Sequence, residues 1–432
     1  MAGKNELRYT VPTMQKFLIR GGNVLKGEVT VSGSKNAALP IIGAALLTDE
    51  PVTLTNVPEI NDVYSILTIL KEFNIEYTFE NHTLTLNAKD FKYREPPKEL
   101  IEKMRASILL APMLLMRHGS FNMVYPGGCV LGKRPLDTHS FIFRKMGADV
   151  LEDEKNLSVI WKKRQPTIMV LPEMSVTATE NAIMMAAITP GETQIRLAAA
   201  EPHVQDLCHF LKKMGCKIDG IGTHNLTVHG VKKLNGTKYA ICGDYLEAGT
   251  YALAAAMTKG DVKIHGLQMD YLDSFWQKLG EAGIPYTLER NSIHIKPAKK
   301  ILPVKMLRTA VYPSFPTDLQ APFGALLCLG TGVSRIFETL FEGRLSYLFE
   351  LEKMGAHIEL LNPHQALIIG PTKLKGKPVV SCDIRAGATM VLAALAAQGE
   401  TVISDIKYID RGYERLDEKL RSLGAEIQKV DI

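Results

Sequence analysis

Cys129 stands in the stretch Tyr125-Pro126-Gly127-Gly128-Cys129-Val130-Leu131-Gly132-Lys133-Arg134-Pro135. Three glycines and two prolines in so short a run exclude a regular helix or strand, so the stretch reads as a shaped loop. Lys133 and Arg134 follow the cysteine closely, and nearby cations favour the thiolate over the thiol. The glycines let backbone N–H groups approach an anion whose charge the two cations would share. The chemistry on offer is a reactive thiol beside a bound anion. The bland alternative is a surface loop with an incidental cysteine.

Other charged residues stand in front of apolar runs. Residues 37–47, 106–116, 181–188, 248–257, 319–329 and 388–397 are Ala-rich and apolar all round, the pattern of buried helices. Just before them come Ser34-Lys35-Asn36, Met104-Arg105, Thr177-Ala178-Thr179, Tyr245-Leu246-Glu247, Pro316-Thr317-Asp318 and Asp383-Ile384-Arg385. A buried helix that opens on a cleft points its positive dipole end and free N–H groups at whatever binds there. Several such ends converging would make a ready anion site. Lys35 in this position is electrostatically unfavourable unless an anion joins it. Asp318 has a competing reading as a simple helix cap, and Arg385 and Arg411 have one as surface ion pairs.

The elements that must position these residues repeat. Amphipathic stretches end at Asn74, Gly147, Gly215, Gly283, Gly355 and Gly424, spaced 68 to 73 residues apart. Glycine, or asparagine as the next best residue, closes a helix in the left-handed conformation and lets a strand follow. Strand starts are marked by Gly27-Glu28, Gly191-Glu192, Gly260-Asp261 and Gly399-Glu400. Six units of strands alternating with helices predict an α/β class with mixed sheets, dividing naturally as three plus three. Neither a dinucleotide fingerprint nor a P-loop signature is present.

Composition narrows the rest. The 432 residues carry a formal charge of +5, with 46% hydrophobic and 22% charged residues, which fits an ordinary globular protein of two or three domains. No basic face with interleaved aromatics speaks for nucleic acid. The six cysteines show no CxxC pairing, so neither zinc nor a disulfide framework is expected, and a reducing cytoplasmic setting fits best. No apolar run reaches membrane-spanning length and no signal-type segment leads the chain. Residues 1–13 read as a flexible extension, with Met14 an alternative start.

Six repeats together with Gly33-Ser34-Lys35-Asn36-Ala37-Ala38-Leu39-Pro40, Pro126-Gly127-Gly128-Cys129, Phe315-Pro316-Thr317-Asp318 and Asp410-Arg411-Gly412-Tyr413-Glu414-Arg415 form a specific combination. From about Lys16 to the C-terminus the chain resembles the UDP-N-acetylglucosamine enolpyruvyl transferases of bacterial peptidoglycan precursor synthesis. The resemblance implies an inside-out α/β barrel of two domains, each with three βαβαββ units. One domain would hold residues 1–34 and 244–432, the other residues 35–243 with the Cys129 loop. It also implies transfer of enolpyruvyl from phosphoenolpyruvate to the sugar 3-hydroxyl with loss of phosphate, through a tetrahedral intermediate and without cofactor or metal. The small-molecule partners would be phosphoenolpyruvate and UDP-N-acetylglucosamine, and the oligomeric state stays open.

The resemblance also assigns residues. Asp318 matches the acceptor of the sugar hydroxyl proton. Cys129 matches the loop acid, which is also the thiol that fosfomycin alkylates. Lys35, Arg134 and Arg411 match the cations around the phosphate, and Asn36 an amide touching the intermediate. Arg344 and Arg385 match the carboxylate end, and Arg105 the diphosphate and loop. Asp137, Ser175, Val176 and Thr177 lie where the family holds uridine, while Glu342 and Asp383 are expected to orient arginines. The chain departs from the family at Ala200 and Tyr245, where Arg is usual, at Thr177, where Gly is usual, and at Thr138, where Leu is common. A paralogue using another nucleotide or sugar is therefore the alternative, and a non-catalytic binding paralogue a more distant one. The shikimate-pathway transferase shares the six-unit plan but lacks the Pro-Gly-Gly-Cys loop.

Overall fold

The computed structural model describes residues 15–127 and 135–431. All six expected helix-ending positions have left-handed backbone, with φ from 56° at Asn74 to 105° at Gly215. The residue after the cap returns its N–H to the carbonyl five positions earlier, as in Ile75 to Leu70 at 3.1 Å, Cys216 to Leu211 at 3.0 Å and Ala425 to Leu420 at 3.0 Å. These bonds satisfy carbonyls that a helix end leaves open and turn the chain into the next strand.

Among the described residues there are five four-stranded sheets and one of three strands. A recurring sheet is Ile168–Val170 parallel to Gly191–Arg196, which pairs antiparallel with Asn225–Gly230, itself antiparallel to Lys217–Asp219. Three strands pair far from their sequence neighbours. Gln15–Arg20 lies antiparallel between Glu400–Ser404 and Glu426–Asp431. Lys26–Thr30 runs parallel to Asp261–His265, and Lys238–Ala240 parallel to Val52–Thr55.

The buried apolar residues form two clusters. One spans residues 37 to 241, and the other joins residues 17 to 31 with residues 245 to 427. We call them the second and first lobe. The chain crosses between them twice, and the crossings touch. Gly33 and Gly243 form an antiparallel bridge, flanked by Ser34 N–H to the Cys242 carbonyl at 2.7 Å and Asp244 N–H to the Ser32 carbonyl at 2.8 Å. A Cβ on Gly33 would lie 1.7 Å from the Asn56 carbonyl oxygen, and one on Gly243 1.8 Å from that of Gly266. No side chain fits at either crossing.

The buried helices form as expected but begin earlier. They run Lys35–Ala45, Val176–Ala187, Tyr245–Met257, Thr317–Cys328 and Ile384–Ala396. The polar residues expected in front of them mostly lie in their first turns. The helix expected over 106–116 is instead a 3-10 turn, Arg105–Leu110, followed by a helix, Ala111–His118. Pro112 explains the break, because it has no N–H to give the Ile108 carbonyl. The Asn181 amide takes that carbonyl at 3.1 Å. Pro40 and Pro322 sit inside their helices four positions after Asn36 and Asp318, and so free the carbonyls of those two residues.

Candidate active site

Asp318 occupies the first turn of the Thr317–Cys328 helix, but it does not cap it. Pro316 is the N-cap residue and receives no side-chain bond. The carboxylate turns instead to two arginines. Arg344 Nη2 donates to Oδ1 at 2.5 Å, and Arg385 donates to Oδ2 from Nε at 3.1 Å and Nη2 at 3.0 Å. Both guanidinium groups are buried, so Arg385 is no surface pair. Burial opposes the charge on Asp318, but Arg385 and Arg344 outweigh it and hold the carboxyl far below the usual range.

Each arginine is fixed from behind. The guanidinium of Arg385 lies 5.3 Å over the ring of Tyr413, whose hydroxyl meets that of Thr250 at 2.9 Å. Asp383 caps the helix by accepting from the N–H groups of Arg385 at 2.7 Å and Ala386 at 2.9 Å. It therefore sets Arg385 through the backbone rather than through the guanidinium. Arg344 Nε donates to Thr317 Oγ1 at 3.2 Å, and Thr317 in turn donates to the fully buried Glu338 at 2.9 Å. The Glu342 side chain pairs with no arginine among the described residues. It is exposed, and its side chain makes no hydrogen bond or ion pair among the described residues.

Lys35 and Arg411 meet a carboxylate that the sequence analysis did not single out. Asp62, 4% exposed, accepts from Lys35 Nζ at 2.8 Å and from Arg411 Nε at 2.8 Å. Burial again opposes the charge, and Lys35 and Arg411 overcome it and lower the pKa. Lys35 and Asp62 belong to the second lobe, whereas Arg411 ends the Ile406–Arg411 turn of the first. The two carboxylate centres are neighbours through Arg411-Gly412-Tyr413. Arg411 holds Asp62, and Tyr413 lies beneath Arg385. A Cβ on Gly412 would come within 2.7 Å of Ile384 Cγ2 and 3.8 Å of Lys35 Cδ.

The remaining expected residues are placed as follows. Arg105 Nη2 donates to the Pro135 carbonyl at 2.9 Å, at the end of the cysteine loop. Cys129, Lys133 and Arg134 lie outside the described residues. Asn36 is half-buried in the first turn of its helix. Asp137 begins the Asp137–Lys145 helix and is exposed. Ser175 is the N-cap residue of the Val176–Ala187 helix.

The departures from the family have local partners. Thr177 lies inside a helix with ordinary φ, so the loss of a glycine there costs no backbone strain. Its hydroxyl accepts from His139 Nε2 at 3.2 Å, because the Asn181 amide occupies the other ring nitrogen at 3.0 Å. Burial, with Arg105 adding to it, pushes His139 down to about 3. Thr138 donates to Glu173 at 3.2 Å. Tyr245 meets His203 across the lobes, its hydroxyl 3.4 Å from Nδ1 and the rings nearly parallel. Ala200 is simply buried.

Two lobes of three sheets each among the described residues, with ion-paired helix starts at Asp318 and Asp62, define the fold of a class of transferases. The sequence matches the EPSP synthase (3-phosphoshikimate 1-carboxyvinyltransferase) family over residues 19–420. The chain belongs to that family. It is 41% identical over 420 residues to the UDP-N-acetylglucosamine 1-carboxyvinyltransferase of Methylacidiphilum infernorum, covering 96% of this chain and 99% of the relative. It is 40% identical over 421 residues to the protein of the same name from Koribacter versatilis, covering 96% and 97%. Among solved structures, the enolpyruvyl transferase NikO from Streptomyces tendae is similar in fold, with TM-score 0.88, 23% identity and coverage of 98% and 100%. EPSP synthase from Acinetobacter baumannii gives TM-score 0.75 at 19% identity, covering 96% of this chain and 100% of that one. No helix among the described residues is long and apolar enough to cross a membrane.

Proposed function

We propose that this enzyme transfers the enolpyruvyl group of phosphoenolpyruvate to the 3-hydroxyl of UDP-N-acetylglucosamine, releasing phosphate. The observation that carries the reading is the junction at Arg411-Gly412-Tyr413. It sets a carboxylate held ionised by two arginines beside a second pair of cations. Such a site offers a proton acceptor together with donors for both anionic ends of a phosphorylated enol acid. Arg385 keeps one buried nitrogen, Nη1, without a hydrogen-bond partner among the described residues, which leaves a donor for the substrate carboxylate.

The steps balance as follows. The sugar hydroxyl oxygen bonds to C2 of phosphoenolpyruvate and gives its proton to Asp318, while C3 takes a proton from Cys129. The C2–phosphate oxygen bond of the tetrahedral intermediate then breaks, C3 returns a proton to the Cys129 thiolate, the leaving phosphate takes the proton held by Asp318, and the enol ether and hydrogen phosphate leave. In this reading Lys35, Arg134 and Arg411 hold the phosphate, with Asn36 on the intermediate and Arg344 and Arg385 on the carboxylate. Arg105 stands near the diphosphate, and Asp137, Ser175 and Val176 line the uridine end. The domains are residues 1–34 with 244–432, and residues 35–243. The product serves peptidoglycan synthesis in the cytoplasm, and fosfomycin alkylates Cys129.

Phosphate release from phosphoenolpyruvate tests the reading, with UDP-N-acetylglucosamine, other UDP-sugars and the bare nucleotide as acceptors and Cys129→Ala as control. Release with UDP-N-acetylglucosamine alone supports it. Release only with another acceptor would transfer the assignment to the residues at Thr138, Thr177, Ala200 and Tyr245. No release with any acceptor would leave a binding protein.

A further inference from the structure

We propose that Glu59, His82 and Glu414 form a binding site for a first-row divalent cation such as Zn2+, joining the two lobes beside the Asp62 cluster. The three side chains can each turn one ligand atom to a common point, all within 4.8 Å of one another. Glu59 and His82 belong to the second lobe. Glu414 follows Arg411 by three residues on the first.

The histidine ring is also oriented for ligation. His82 Nδ1 lies 3.2 Å from the Val57 carbonyl oxygen. A carbonyl only accepts, so the ring proton sits on Nδ1. Nε2 is then the ring nitrogen turned toward the cluster, facing Glu414 Oε1 at 3.6 Å, and a backbone carbonyl on the other ring nitrogen is how metal-ligating histidines are commonly oriented. The separation suits a shared metal, since ligands about 2.0–2.1 Å from tetrahedral Zn2+ stand roughly 3.3 Å apart.

Each ligand is also held at another atom, as metal ligands commonly are. The Val57 carbonyl orients His82. The Glu59 backbone N–H reaches Glu414 Oε2 at 3.2 Å, leaving Oε1 for the site. Arg415 Nη2 takes Glu59 Oε2 at 2.8 Å, and the carboxylate has a second oxygen. His82 is a non-glycine residue at φ 58° in the Asn81-His82 turn, so the imidazole is displayed from a tight hairpin tip. One imidazole and two carboxylates suit Zn2+, Mn2+ or Fe2+, with water completing the shell. A proton on His82 is the competing occupant, giving an imidazolium–carboxylate pair.

The test is calorimetric titration of the EDTA-dialysed full-length protein with ZnCl2, for the wild type and His82→Asn. Asparagine tolerates the left-handed backbone of position 82, so the turn survives while the imidazole is lost. Circular dichroism and phosphate release check that the variant is folded. We expect one Zn2+ per chain at micromolar affinity, and at least a tenfold weakening in His82→Asn and in Glu414→Gln. Bound Zn2+ should also slow amide exchange in both segments, 57–62 and 406–415. Absence of saturable binding by the wild type would overturn the proposal in favour of the protonated pair. Equal affinity in wild type and His82→Asn would overturn it too, because the ion would then lie elsewhere. The readout needs no substrate, so it stands or falls apart from the proposed reaction.

Discussion

Asp318 and Asp62 are the same device used in two ways. Each is a carboxylate in the first turn of a helix, and each is gripped by two cations strong enough to overcome its desolvation. The Asp318 centre is contained in one lobe, since Arg344, Asp318 and Arg385 all rest on the first core. The Asp62 centre is divided, with Lys35 and Asp62 on one lobe and Arg411 on the other. The first is therefore fixed however the lobes stand. The second exists only while they are together. A site arranged this way keeps one carboxylate charged within a single lobe and completes its second cation pair only by assembly.

The largest expected effect comes from damaging the contained centre. Arg385→Ala removes the cation on Oδ2 of Asp318 and the free donor beside it. Losing one preorganised charged donor costs about 10³-fold in kcat. Phosphate release under saturating substrates measures it, and a loss below tenfold would mean Arg385 serves folding more than chemistry. Because this centre lies within one lobe, added inorganic phosphate should not restore the variant.

The divided centre should behave differently. Asp62→Asn removes the charge that Lys35 and Arg411 share. Breaking a buried pair costs about 3–5 kcal/mol. The side chains of Lys35 and Arg411 keep 12% and 18% exposure, so we expect roughly 2 kcal/mol after screening. The urea midpoint should drop accordingly, and millimolar phosphate should raise it more in Asp62→Asn than in the wild type. If phosphate stabilises both equally, the two cations do not share an anion site. The wild-type contribution also has a pH window. The folded pKa of Asp62 is lowered, so its stabilisation is complete above the ordinary aspartate range and disappears as pH falls through the folded value.

The same contrast explains what could be read from the chain. Helix ends at Asn74, Gly147, Gly215, Gly283, Gly355 and Gly424 were legible because left-handed φ selects glycine or asparagine locally. Asp318, Arg385 and Arg411 stood out through motifs. Asp62 did not, because an acidic residue in a helix first turn has a sufficient local reason to be there in the dipole. Its partners arrive from 27 residues before and 349 after. Glu338 and His139 were hidden for a similar reason, as Thr317 reaches the one and Thr177 and Asn181 reach the other from helices distant in sequence. Helix starts were placed late because Lys35, Tyr245 and Asp318 look like loop residues until a pairing partner removes their charge or polarity from water.

Two histidines extend the comparison to proton binding, with the smallest effects. His203 lies where the lobes meet, against Tyr245, and burial pushes it down to about 4 although Asp318 favours its charge. His139 is enclosed within the second lobe and is pushed down to about 3. Unfolded histidine titrates near 6.5. Below that pH the unfolded chain takes up protons that the folded protein refuses, so stability is present above pH 6.5 and is lost as pH falls. At pH 5 each histidine accounts for roughly 2 kcal/mol of that loss. The slope of the urea midpoint between pH 7 and pH 5 should therefore flatten in His203→Gln and in His139→Gln alike. Toward pH 4 the two should separate, because native His203 begins to take its proton while His139 does not. The His203 contribution then levels off and the His139 contribution continues to grow. Identical curves for the two variants down to pH 4 would mean that the interface admits protons no more readily than the core.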